Sequence, residues 1–143
     1  MKTSSLCALV LLAASTTYAQ RSQRAYTAAT DSTYGYTALN PLKMKQGDIG
    51  KSIGLSKVFL RNLRTADDQA LQLLGRTSIS DPAYMRPTIQ LNNRYTRLPV
   101  SGKLGQLDVY VFKTAAGDTL RLFVDIYHKG PRLVPKGLKY VGL

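Results

Sequence analysis

Two alternating runs, Leu107–Lys113 and Thr119–His128, flank Ala115-Ala116-Gly117-Asp118, and no other stretch limits so strongly what this chain can fold into. Both runs are rich in β-branched and aromatic residues, which predicts a β-hairpin over about 107–128. A register that sets Thr114 against Thr119 places Val111 opposite Leu122 and Val109 opposite Val124. Slipping one strand by a residue sets Val111 against Arg121 and mixes the faces, so the hydrophobic pattern favours the first register. In that register one face is aliphatic (Leu107, Val109, Val111, Leu122, Val124) and the other aromatic (Tyr110, Phe112, Phe123, Tyr127). A hairpin apolar on both sides belongs at the centre of its sheet.

Upstream, Lys2, the apolar run Leu6–Ala14 and the small residues Thr17 and Ala19 have the layout of a secretory signal peptide cleaved after Ala19. The run is too short to span a bilayer, and no later stretch approaches 18 apolar residues. The expected mature chain therefore carries no transmembrane segment and resides in the periplasm or outside the cell. Cys7, the only cysteine, leaves with the leader, which excludes disulfides and thiolate chemistry from the remainder. Residues 20–40 are rich in Ser, Thr and Ala without a period of 2 or 3.6 and read as a mobile arm. Residues 41–143 are then one domain.

Within that domain, Pro41–Arg64 is ambiguous. Leu55, Phe59 and Leu63 fit a helix face, whereas Val58, Leu60 and the interspersed Gly47, Gly50 and Gly54 lean toward extended structure. The helix is expected at about 66–74. Thr65 with Asp68 resembles a capping box, Ala66, Ala70, Leu71, Leu73 and Leu74 supply an apolar stripe, and Gly75 ends it. Short strands are expected at 76–80 and on either side of Asn92-Asn93. The fold class is α+β, an antiparallel sheet around the central hairpin with the helix on one face. Residues 65–79 resemble the short helix, Leu-Leu-Gly, basic residue and strand unit of small envelope proteins related to outer-membrane assembly lipoproteins and the β-lactamase inhibitor protein. This chain has Thr77 where those proteins usually carry a proline, and it lacks their lipidated cysteine. The resemblance implies a non-catalytic fold that presents a sheet to protein partners.

Twenty Lys and Arg face eight acids, all Asp, for a formal net charge of +12. That excess favours polyanions, with a field reaching roughly 8 Å at physiological salt. The basic tail (Lys129, Arg132, Lys136, Lys139) together with Arg121, Tyr110 and Phe123 on the aromatic face is the candidate surface for a polysaccharide or nucleic acid. A lone histidine, His128, and no thiolate in the mature chain leave no zinc site of the usual His and Cys kind, so no metal, cofactor or catalytic residue is assigned. Asp108 and Asp125, opposite each other in the favoured register, are the remaining candidates for hydrolytic chemistry, with a solvated pair near basic residues as the simpler reading. The sequence thus points to a small exported, non-catalytic binding or structural module of the cell envelope. Its partner is expected to be a protein or an anionic polymer.

Export predicts that protein recovered outside the cytoplasm begins at Gln20 when its N-terminal peptide is read by mass spectrometry. An exported chain still beginning at Met1 would contradict the leader.

Overall fold

The computed structural model describes residues 26–84, 92, 94–97 and 105–142. The leader, the start of the arm and most of the hairpin expected about Asn92-Asn93 lie outside these residues. The elements run β1 (Leu42–Lys43), α1 (Ile49–Arg61), β2 (Leu63–Thr65), β3 (Gln72–Ser80), β4 (Gln106–Lys113), β5 (Thr119–Asp125) and β6 (Leu138–Tyr140). A four-stranded sheet has the order β1-β5-β4-β3, and β2 pairs with β6 in a separate two-stranded ribbon. The class is α+β. The larger sheet is mixed, not antiparallel throughout, because β1 runs parallel to β5.

The β4–β5 register is the one the hydrophobic pattern disfavoured: Val111 faces Arg121, Tyr110 faces Leu122 and Asp108 faces Val124. Turn geometry decides it. Gly117 takes φ +96°, its N–H bonds Thr114 O at 3.0 Å, and Thr114 N–H bonds Asp118 O at 2.8 Å. A turn closed by a left-handed glycine fixes loop length, and loop length fixes register. Tyr110, Phe112, Leu122 and Val124 consequently share one buried face with the core. Phe123 and the exposed Arg121 fall on the other face.

The helix lies at 49–61, not at 66–74. Asp48 caps it, its carboxylate accepting from Lys51 N–H at 2.8 Å. Its inward face is Ser52, Ser56, Phe59 and Leu60, followed by Leu63. Both serines bond locally, Ser52 Oγ to Asp48 O and Ser56 Oγ to Ile53 O, each at 2.9 Å, so their burial leaves no hydroxyl unpaired. Around Thr65 the chain turns instead of capping. Asp68 adopts φ +65°, Thr65 N–H bonds Gln69 O at 2.9 Å, and Arg64 bridges Ala70 antiparallel. Most of the stripe expected to face the core is exposed, with Leu73 and Leu74 each 53% accessible, and only Leu71 packs against the core. Gly75 sits inside β3 beside a bulge, opposite Val111.

Residues 26–40 also depart from the arm expected at 20–40. Ala29 and Tyr34 are each 5% accessible and belong to the core. Tyr26 packs edge-on against Phe59 and Tyr140, at ring separations of 5.1 and 4.6 Å. Three backbone bonds stitch the segment down: Ala29 N–H to Val134 O (2.8 Å), Val134 N–H to Thr27 O (2.9 Å) and Phe123 N–H to Gly35 O (2.8 Å). A turn keyed by Asp31 shapes it, the carboxylate accepting from Thr33 N–H and Thr33 Oγ1 at 2.8 Å and from Asn40 Nδ2 at 2.9 Å. The Thr33 amide does most to hold the Asp31 pKa below its ordinary value.

Denaturant melts should rank substitutions by this packing. Phe59→Ala should cost about 3–5 kcal/mol and Leu122→Ala about 2–5, because both leave cavities. Leu73→Ala and Leu74→Ala should each cost well under about 1 kcal/mol. The opposite ranking would restore the helix to 66–74.

Candidate functional site

Parallel pairing of β1 with β5 sets Leu42 beside Val124 and Lys43 beside Asp125. Met44 N–H bonds Asp125 O at 2.7 Å and extends that pairing by a residue. Strand alternation buries Leu42 and Met44 and turns Lys43 and Lys45 outward. Beyond Asp125 the partner strand leaves the sheet. Asp125 Oδ1 accepts from Tyr127 N–H (2.8 Å) and His128 N–H (3.0 Å), a local loop that bends the chain and delivers His128, Lys129 and Gly130 to the surface. Gly130 lies so close to the Lys43 side chain that a Cβ there would collide with it.

Residues 41–47 and 128–132 thereby line two neighbouring concavities. The first, of about 490 Å³, is bordered by Lys45, Gln46, Gly47, Lys129, Gly130 and Arg132. Three of these side chains are cationic and none is acidic. Arg132 Nη2 donates to Lys45 O at 3.0 Å and bridges the two segments. Its backbone neighbours are fixed by Tyr34, whose hydroxyl donates to Pro131 O at 2.7 Å and accepts from Leu133 N–H at 3.3 Å. Burial of that phenol pushes its pKa above the ordinary tyrosine value, so it remains a donor at any physiological pH. The second concavity, of about 360 Å³, is lined by Leu39, Pro41, Lys43, Asp81, Ala83, Tyr84, Asp125 and His128.

Of the candidates read from sequence, Lys129 and Arg132 come together, joined by Lys45. Lys136 and Lys139 do not border this concavity. Lys136 follows the buried Pro135 and offers its carbonyl to the Tyr36 hydroxyl at 2.8 Å; Lys139 lies on β6 opposite Arg64. The aromatic platform does not form. Tyr110 is 5% accessible and stacks on Phe112 inside the core at 6.4 Å, while Phe123 and Arg121 are on the opposite face. The one-residue change of register leaves Tyr110 opposite Leu122 and Arg121 opposite Val111.

Asp108 and Asp125 are likewise separated. Asp108 accepts from Arg76 Nη2 at 2.8 Å and Ser78 Oγ at 2.9 Å, and the Arg76 guanidinium sits 5.7 Å from the Tyr110 ring centroid. This is a structural pairing across β3 and β4. The proximity of the Asp108 carboxylate raises the Arg76 pKa. Asp125 is bound instead to His128, Oδ2 to Nδ1 at 2.8 Å. The Asp-x-x-His spacing at 125–128 was the available signal for that contact; nothing local signals the approach of Asp81.

Comparison with protein-family models, with curated proteins and with solved structures finds no match to this chain. No helix among the described residues is long and apolar enough to cross a membrane.

Proposed function

We propose that this protein is an exported, non-catalytic module that binds an anionic polysaccharide of the envelope through the concavity formed by Lys45, Lys129 and Arg132. The observation that carries this reading is the convergence of three cations from two chain segments on one hollow that contains no carboxylate. Arg132 is pre-positioned by its bond to Lys45 O, and its flanking backbone is tied to Tyr34. Such preorganisation lowers the ordering cost of binding, which a set of freely rotating surface lysines would have to meet. Gly47, where only the Lys51 stem lies within 4 Å of a would-be Cβ, leaves room for a bulky anion to approach the backbone. With Tyr110 in the core, base stacking has no platform of the kind expected from the sequence, and recognition by charge favours a sulfated or carboxylated polymer over a single-stranded nucleic acid. The sequence excess of +12 supplies a general attraction, and the concavity gives it a location.

A salt titration of affinity for heparin and for duplex DNA separates this site from diffuse charge. Lys45→Gln, Lys129→Gln and Arg132→Gln combined should weaken binding and flatten its salt dependence, by up to about 0.9 in the log–log slope for each phosphate of duplex DNA that is no longer neutralised. The exposed set Lys57→Gln, Lys113→Gln and Arg121→Gln removes the same charge and should do much less. Heparin should bind the parent more tightly than single-stranded DNA does. Equal weakening by the two triple variants, with both folded by thermal melts, would mean that the concavity is not a site.

A further inference from the structure

Two aspartates are buried among the described residues, Asp108 and Asp125. They are served differently. Asp108 has the permanently charged Arg76, as a desolvated carboxylate requires. The Asp125 side chain is 3% accessible, and its one side-chain ion-pair partner among the described residues is His128, which is charged only when protonated. Lys43 neighbours Asp125 across the β1–β5 pairing, yet among the described residues no ion pair joins the two, so another cation can serve this carboxylate. A third donor is at hand. Asp81, just past β3, turns the chain by accepting from Ala83 N–H at 2.8 Å, and its own N–H bonds Gly105 O at 2.7 Å. One carboxylate oxygen each from Asp81 and Asp125 and a ring nitrogen of His128 all lie within 4.8 Å of one another.

We infer that Asp81, Asp125 and His128 bind one divalent transition-metal cation, of which zinc is the representative. The span of the set supports it. Metal–nitrogen and metal–oxygen bonds of about 2.0–2.2 Å leave adjacent ligand atoms roughly 3.0–3.4 Å apart in tetrahedral or octahedral geometry. Here the separations run from 2.8 Å between Asp125 Oδ2 and His128 Nδ1 to at most 4.8 Å across the set. That range brackets the required one, so small side-chain rotations suffice. The donors also select the metal: an imidazole favours zinc, nickel or cobalt over calcium and magnesium, which take oxygen ligands, and the absence of thiolate disfavours copper(I). Three protein ligands at the wall of a concavity of about 360 Å³ leave further coordination positions for water or an exogenous anion. Asp125 is fixed by two backbone N–H groups, so one ligand is in place before the ion arrives. Lys43 lines the same concavity, and its ammonium is the internal competitor for the two carboxylates.

Because His128 is the chain's only histidine, its imidazole proton resonances report on this site alone. The test uses the full chain without a polyhistidine tag and with Cys7→Ser, so that no thiolate competes. Zinc chloride is titrated while the His128 signals are followed by NMR and stoichiometry is measured by calorimetry. The expected result is one ion per chain, with the His128 signals shifted or broadened by zinc and unmoved by equal calcium or magnesium. Asp81→Asn preserves the turn bond to Ala83, and His128→Gln alters an exposed side chain, so both variants should fold; each should weaken zinc binding at least about 10-fold. His128 signals indifferent to excess zinc, or zinc affinity unchanged in folded Asp81→Asn, would overturn the inference. In that event the imidazole is only the partner of a buried carboxylate.

Discussion

The hydroxyl of Tyr34 joins the beginning of the described chain to its end, and the shape of the cationic hollow depends on that join. One phenol oxygen holds Pro131 O and Leu133 N–H, the groups on either side of Arg132. Each bond contributes about 0.5–1.5 kcal/mol net. Tyr36 repeats the device on Lys136 O, and Tyr26 does so with its ring, between Phe59 and Tyr140. Three tyrosines thus fasten a C-terminal segment whose two prolines keep it from joining the large sheet as an inner strand. Without them, Lys129 and Arg132 would lie on a loose tail and Lys45 would have no fixed neighbour.

A second constraint acts where β5 ends. The Asp125 carboxylate uses one oxygen to turn the backbone and the other to hold His128, and the same turn exposes Lys129 and Gly130. Two hollows of different character result, one lined by cations alone among its charged groups and one that sets two carboxylates beside Lys43 and His128. Their closeness follows from β1: its parallel pairing brings Lys43 and Lys45 alongside Asp125 and the bend. Charge in this protein is therefore sorted by local chain geometry and not merely by the net excess.

Much of this was legible in the sequence where the signal was local and chemically unambiguous. The strand content of 107–128 and the α+β class followed from alternation and β-branched residues, as did extended structure at 76–80. The helix was hidden because its inward positions are Ser52 and Ser56, which a hydrophobic pattern counts as polar, and because Gly50 and Gly54 argued against it. Conversely, Ala66, Leu71, Leu73 and Leu74 imitate a stripe that nothing in the fold buries as one. The register of β4 and β5 was set by Gly117, a determinant outside any cross-strand comparison of side chains. Tyr34 and Asp81 were missed for a common reason. Their partners are brought to them by topology, from 131–133 in one case and 125–128 in the other, and no spacing in the sequence encodes that meeting. Charge alone proposed Lys129, Arg132, Lys136 and Lys139, and only the first two line the hollow.

Residues 26–40 and the C-terminal segment pack into the core of the large sheet and should therefore unfold with it as one cooperative unit. Native-state hydrogen exchange tests it most directly, at the amides of Ala29, Leu133 and Val134, whose bonds to Val134 O, Tyr34 Oη and Thr27 O make up the clasp. Their protection should match that of Tyr110 and Leu122 in β4 and β5, opening only with global unfolding. Exchange at the rate of an unstructured peptide while β4 and β5 remain protected would show a loose arm and a loose tail.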